Sequence, residues 1–84
     1  MDTESMPYRE KFPVGSSVRI KPVEELEKFK RNWKLHHPLS TEQVACGGKT
    51  DCVLRVSFYH GGDVLYELEN APGTWHERLL EAHG

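Results

Sequence analysis

Apolar and polar side chains alternate in several stretches of this chain, which is the pattern of a strand with one buried face. Val18 and Ile20 alternate with charged residues in the first stretch. The strongest stretch covers residues 52–60, and residues 64–69 form its expected antiparallel partner. Two shorter strands are expected after these. The pattern therefore predicts a mainly β domain, in which the two shorter strands cover residues 74–77 and 81–82.

Between the first two strands the apolar spacing becomes that of a helix. Val23, Leu26, Phe29 and Trp33 are three, three and four residues apart, so a helix over 23–34 presents one apolar stripe. Its acidic residues lie near the N-terminal end and its basic residues near the C-terminal end, which complements the helix dipole. This helix is expected to cover the sheet.

A second short helix is expected over residues 41–46. Ser40 and Gln43 have the spacing of a capping box, in which each side chain bonds the other residue's backbone. Gly47 and Gly48 would end the helix, because glycine tolerates the left-handed conformation found at helix ends. Together the two helices form an insertion after the first strand.

The register of the main hairpin follows from which side chains it would bury. A two-residue loop would set Val56 opposite Glu67 and place a carboxylate on the apolar face. A three-residue loop over 61–63 instead sets Val56 opposite Leu68. We therefore predict a three-residue or bulged turn and a hairpin interior of five side chains: Leu54, Val56, Phe58, Tyr66 and Leu68.

Length and composition limit the function classes. The chain has 84 residues, of which 37 % are hydrophobic and 29 % charged, which suits one small globular domain. We expect a flexible tail over 1–11 and a single domain over 12–84. No apolar run approaches the roughly 18 residues of a membrane span, and the N-terminus has no signal pattern. The cytoplasm is the expected compartment, and no membrane partner is expected.

Charge is spread unevenly along the chain. The formal net charge is −2, with a basic excess before residue 35 and an acidic excess after it. Phosphate binding needs concentrated positive potential, and one group of basic residues on the predicted helix comes close to it. Glutamates neighbour that group, so a solvated helix face is the plainer interpretation. A nucleic-acid-binding barrel remains an alternative that would use Lys28, Lys30, Arg31 and Lys34.

Histidines and cysteines raise a metal- or redox-linked alternative. His36, His37, Cys46 and Cys52 supply suitable ligand types, but no pair of cysteines has the spacing of a zinc site. Adjacent histidines cannot easily aim both rings at one ion. We therefore assign no metal and no cofactor, and keep a metal- or redox-linked accessory protein as a second alternative.

Residues 59–63 and 73–77 each place a histidine and a carboxylate beside an aromatic ring. A histidine with a carboxylate partner can act as a base, but no nucleophile accompanies it in this pattern. We therefore expect no enzymatic activity. Aromatic side chains anchor protein interfaces well. The candidate contact surface for a protein partner contains Tyr59, His60, Asp63, Trp75 and His76.

The order of these elements resembles that of an SH3-like small β-barrel of the electron-transport accessory type. The resemblance covers residues 12–82. In this order of elements the chain is similar to the C-terminal domain of the nitrile hydratase β subunit and to the variable chain of ferredoxin–thioredoxin reductase. It implies a small antiparallel barrel that docks to a protein partner as an accessory or interaction module. The matching residues are 12–15, 18–20, 66–68, Trp75 and Leu79.

Overall fold

Strands dominate the computed structural model, which describes residues 9–59 and 62–83. Two helices follow the first strand, and a 3₁₀ turn precedes the last one, so the protein is a small domain with a five-stranded antiparallel sheet and two helices. In chain order the elements are β1 (Ser17–Ile20), α1 (Val23–Asn32), α2 (Thr41–Val44), β2 (Thr50–Tyr59), β3 (Asp63–Leu68), β4 (Thr74–His76), the 3₁₀ turn (Glu77–Leu79) and β5 (Leu80–Ala82).

The sheet has the order β4-β3-β2-β1-β5. The first residues of β2 pair with β1, and the rest of β2 pairs with β3. β4 and β5 are therefore the two edges, and within the described residues no strand pairing joins them. The expectation of a closed barrel is wrong, because the edge strands β4 and β5 have only three residues each and each pairs with a neighbour on one side only.

A bulge in β2 changes which side chains the hairpin buries. Val53 pairs with Leu68 and Arg55 pairs with Glu67, which leaves Leu54 as the extra residue. As a result Val53 enters the core, while Leu54 is 54 % exposed. The prediction that Leu54 lies in the interior is wrong, because the alternation of faces is interrupted at the bulge.

The turn of the main hairpin has the predicted length but lies one residue earlier. Tyr59 pairs with Asp63, so three residues, 60–62, join the strands instead of 61–63. Val56 then pairs with Tyr66, which is also apolar. Phe58 lies near the turn and is 46 % exposed, so its predicted burial is wrong as well. Tyr66 and Leu68 are buried as predicted, and Val56 packs partly against the core.

Both predicted helices are present, and both are shorter than expected. α1 ends at Asn32, where the backbone N–H of Trp33 still bonds the carbonyl of Phe29. Leu26 is the buried residue of α1, and Phe29 packs partly against the core. The capping box of Ser40 and Gln43 is confirmed in both directions.

A buried phenol ties the start of the domain to the 3₁₀ turn. The hydroxyl of Tyr66 donates to Glu77 Oε2 over 2.5 Å and accepts the backbone N–H of Lys11. Burial and the bond to Glu77 raise the pKa of Tyr66 to about 12, so the hydroxyl stays protonated. Phe12 is buried beside this group. Residues 1–8 of the expected tail lie outside the described residues.

A buried carboxylate, Asp51, holds the connection between β3 and β4. It accepts the backbone N–H groups of Cys52 and Ala71 at 2.8 Å each, and that of Asn70 at 3.2 Å. Burial alone would raise the pKa of Asp51, but these bonds outweigh burial and hold it below the ordinary value of 3.8. The charged form of Asp51 therefore stabilises the fold.

Replacing Asp51 with Asn should lower the free energy of unfolding by about 1–3 kcal/mol at neutral pH, since an amide N–H₂ faces donors that the carboxylate accepted. Urea unfolding measures this change. Because the folded pKa is lowered, the stabilisation by wild-type Asp51 is full above about pH 4 and is lost as the pH falls further. The difference in free energy of unfolding between wild type and Asp51→Asn should therefore become smaller in acid. Glu81→Gln, at an exposed acid on β5, is the control; an equal loss there would contradict this role of Asp51.

Candidate functional site

Strand register brings Tyr59, Asp63, Leu65 and His76 onto one face of the sheet. Tyr59 pairs with Asp63 and Leu65 pairs with His76, and residues two apart on a strand share a face. Leu65 and His76 are buried on this face, so something covers them. The opposite face carries Trp75 and Tyr66, which fill the main core.

The segment that follows α1 provides the cover. The indole N–H of Trp33 donates to the carbonyl of His36 over 2.6 Å and so turns the chain back after the helix. His37 has a φ of 52°, a left-handed conformation that is uncommon for a residue with a side chain. Such strain persists only where surrounding contacts hold it, and it is concentrated at functional sites.

Hydrogen bonds join four residues at this face and ring stacking adds Tyr59; we name the five the histidine cluster: His36, His37, Tyr59, Asp63 and His76. His36 Nε2 lies 2.7 Å from Asp63 Oδ2, and its Nδ1 lies 2.8 Å from His37 Nδ1. A carboxylate only accepts, so His36 donates through Nε2, and one of the two Nδ1 atoms donates to the other. His76 Nε2–H donates to the carbonyl of His37 at 2.9 Å. The two Nδ1 atoms cannot both carry protons while their bond persists.

Ring stacking completes the cluster. His36 and Tyr59 lie nearly parallel with centroids 3.8 Å apart. His76 contacts the rings of Phe29 and Trp33, each at 5.0 Å. Tyr59 remains 37 % exposed above this layer, so the cluster supports an aromatic side chain at the surface.

The environment of His76 favours its neutral form. Burial lowers the pKa of His76 below its ordinary value, and the positive charge that His36 and His37 can carry lowers it further. The bond to the carbonyl of His37 and the charge of Asp63 act in the opposite direction but do not cancel burial. The cluster therefore holds a buried imidazole that resists protonation.

Two open grooves border the cluster and share Lys21 and Arg78. One has a volume of about 430 Å³ and also contains Lys11, Asp63 and His76. The other has about 380 Å³, and Phe29, Trp33 and Lys28 are among the residues that form its walls. The Arg78 guanidinium lies over both aromatic rings, 5.3 Å from the Trp33 centroid and 5.9 Å from that of Phe29.

The structure places the predicted contact residues in three different situations. Tyr59, Asp63 and His76 come together in the cluster, although His76 is largely covered. Trp75 is fully buried on the opposite face, so it offers no surface to a partner. His60 lies outside the described residues. Sequence reasoning did not connect His36 and His37 with this site, because their contacts with Tyr59 and Asp63 depend on the path of the chain after α1.

The residues of the two alternative sites are brought together only in part. Lys28 lies at the groove with Trp33, while Lys30, Arg31 and Lys34 line another groove on α1 that also contains Glu27. Cys46 packs against the core, with its thiol 3.5 Å from the carbonyl of Glu42. Over residues 9–59 and 62–83, no group of three or more His, Cys, Asp or Glu side chains could hold a metal ion.

Comparisons with known proteins give no relative for this chain: no family model, no curated protein and no solved structure matches it. Among the described helices, none has the length and apolar character needed to cross a membrane. The site must therefore be interpreted from its own chemistry.

Lowering the pH should destabilise the fold through His76. Unfolded His76 takes up a proton near pH 6.5, whereas the buried ring resists it, so stability is full above about 6.5 and falls as the pH drops toward the folded pKa. Urea unfolding at about pH 8 and about pH 5.5 measures this loss. His76→Gln keeps a donor for the carbonyl of His37 and should reduce the pH dependence.

His83→Gln, at an exposed position just after β5, is the matched control and should keep the wild-type dependence on pH. A pH dependence that is the same in wild type and His76→Gln would show that His76 is not the responsible group.

Proposed function

We propose that this protein is a non-catalytic module that docks to a protein partner through the face of the histidine cluster. The observation that carries the proposal is the arrangement around Tyr59, whose exposed ring stacks on His36. Asp63 and His37 in turn fix His36 by hydrogen bonds. The surface aromatic is thus held by a layer of bonded rings.

Such an arrangement suits binding. A tyrosine provides a large contact area together with a polar end, and both are favourable at interfaces. Side chains that are already fixed lose less conformational freedom on association, so more of the contact energy contributes to affinity. Strain at His37 is consistent with a segment retained for such a surface.

The same bonds argue against catalysis by the Asp63–His36 pair. In an acid–base site the second imidazole nitrogen faces the reacting group. Here Nδ1 of His36 is bonded to His37 Nδ1, and the ring face is covered by Tyr59. The pair therefore orients and supports neighbouring rings, which is a structural task.

An SH3-like fold of the accessory type remains our hypothesis for the architecture. It is supported by the strand order, by the sharing of β2 between two groups of strands and by the 3₁₀ turn between β4 and β5. Accessory domains of that type dock to catalytic partners, which agrees with the docking role proposed here. Fold likeness is weak support for function, so the proposal rests on the cluster.

Selection of a random peptide library on the full chain tests the docking proposal. Selected peptides should bind saturably and shift the NMR signals of Tyr59, His36 and the Trp33 indole. Tyr59→Ala should weaken binding by about tenfold, the effect of losing about 1.4 kcal/mol. Val14→Ala, at an exposed apolar residue before β1, is the control and should leave binding unchanged. Peptides whose shifts map away from the cluster, or the absence of saturable binders, would overturn the proposal.

A further inference from the structure

The two grooves beside the histidine cluster form one surface with an unusual charge arrangement. Lys21 and Arg78 line both grooves, Lys11 lies in one and Lys28 in the other. The protein as a whole has a net charge of −2, so this concentration of cations runs against its overall charge. We name these four residues the basic row.

The backbone holds two members of the basic row close together. The N–H of Lys21 donates to the carbonyl of Leu79 over 3.0 Å, and Arg78 precedes Leu79 in the 3₁₀ turn. Among the described residues, no member of the basic row forms an ion pair within 4 Å. Because both side chains line the same two grooves, a carboxylate bound there would be attracted to both cations.

The acidic residues of the grooves neutralise the basic row only in part, because three carboxylates accompany four cations. Asp63 is bonded to His36, and Glu77 accepts the Tyr66 hydroxyl and the backbone N–H of Lys11. Glu25 lies on the wall of the groove that contains Trp33. Two of the three carboxylates are thus hydrogen-bonded within the fold, and the four cations exceed the three carboxylates by one positive charge.

The floor of the second groove is aromatic. Phe29 and Trp33 stack with centroids 5.2 Å apart, and the Arg78 guanidinium covers them from one side. This combination can hold an apolar side chain against the rings while Arg78 meets a carboxylate.

We infer that the docking partner presents an acidic segment with apolar residues between its carboxylates, and that this segment binds along the basic row. Its carboxylates meet Lys21 and Arg78, and an apolar side chain packs on Phe29 and Trp33. The inference rests on the proposed docking function and adds the chemistry of the partner. Lys11 lines one groove, Lys28 lines the other, and Lys21 and Arg78 line both, which favours a segment over a single free anion.

Fluorescence anisotropy with a labelled peptide that alternates Glu and Leu tests the inference on the full chain. We expect a Kd of about 10–100 µM at low salt, and weaker binding as salt screens the charges. Arg78→Gln and Lys21→Gln should each weaken binding about fivefold. Lys30→Gln is the matched control, because Lys30 lies on α1 at a different groove. Arg78→Lys keeps the charge and should retain most of the affinity.

Three outcomes would overturn the inference: equal binding of a peptide with Gln in place of every Glu, full binding by Arg78→Gln and Lys21→Gln, or preference for a thymidine oligonucleotide over the acidic peptide. The random peptide library distinguishes a failure of the acidic-partner inference from a failure of the docking proposal. If the library selects neutral peptides that shift the NMR signals of the histidine cluster, the docking proposal is supported and the inference of an acidic partner is wrong.

Discussion

The bulge at Leu54 is the constraint on which the two parts of the sheet depend. Residues 50–52 of β2 pair with β1, and β2 pairs with β3 from Val53 onward, so one strand supports both groups and the bulge follows directly after the change of partner. An extra residue at this point restores Val56 to the same side as Val53, and both contact the core. Without it, one half of β2 would turn its apolar side chains to water. A chain of 84 residues has too small a core to tolerate that loss.

The histidine cluster follows from the same pairing. Beyond the bulge, β2 and β3 continue to Tyr59 and Asp63, past the end of the core, where Phe58 is already exposed. The hairpin end therefore needs support from elsewhere, and the segment after α1 supplies it through His36. Both elements are incomplete alone, because the left-handed His37 is held by contacts with His36 and His76. Fold and candidate site are thus stabilised by the same set of bonds.

Local patterns in the sequence were sufficient to predict the element types, the helical insertion and the capping box of Ser40 and Gln43. They failed where a single residue changes the face, as at Leu54, because alternation alone has no signal for a bulge within a strand. The site was predictable only in part. Tyr59, Asp63 and His76 were identified from local carboxylate–histidine spacing, but the role of His36 depends on contacts across 27 residues of chain. Trp75 was misplaced because an aromatic residue suits a core and an interface equally well.

Charge gives the last link between the fold and the proposed partner. In the sequence, Lys11, Lys21, Lys28 and Arg78 are scattered among acidic residues and indicate no site. Folding brings the four cations to two neighbouring grooves, where Glu77 bonds Tyr66 and Asp63 bonds His36. These carboxylates accept hydrogen bonds from groups of the fold and offset part of the cations' charge, but the grooves contain four cations and only three carboxylates. The basic row therefore keeps an excess of one positive charge, and a ligand's carboxylates can offset that charge without breaking any hydrogen bond of the fold.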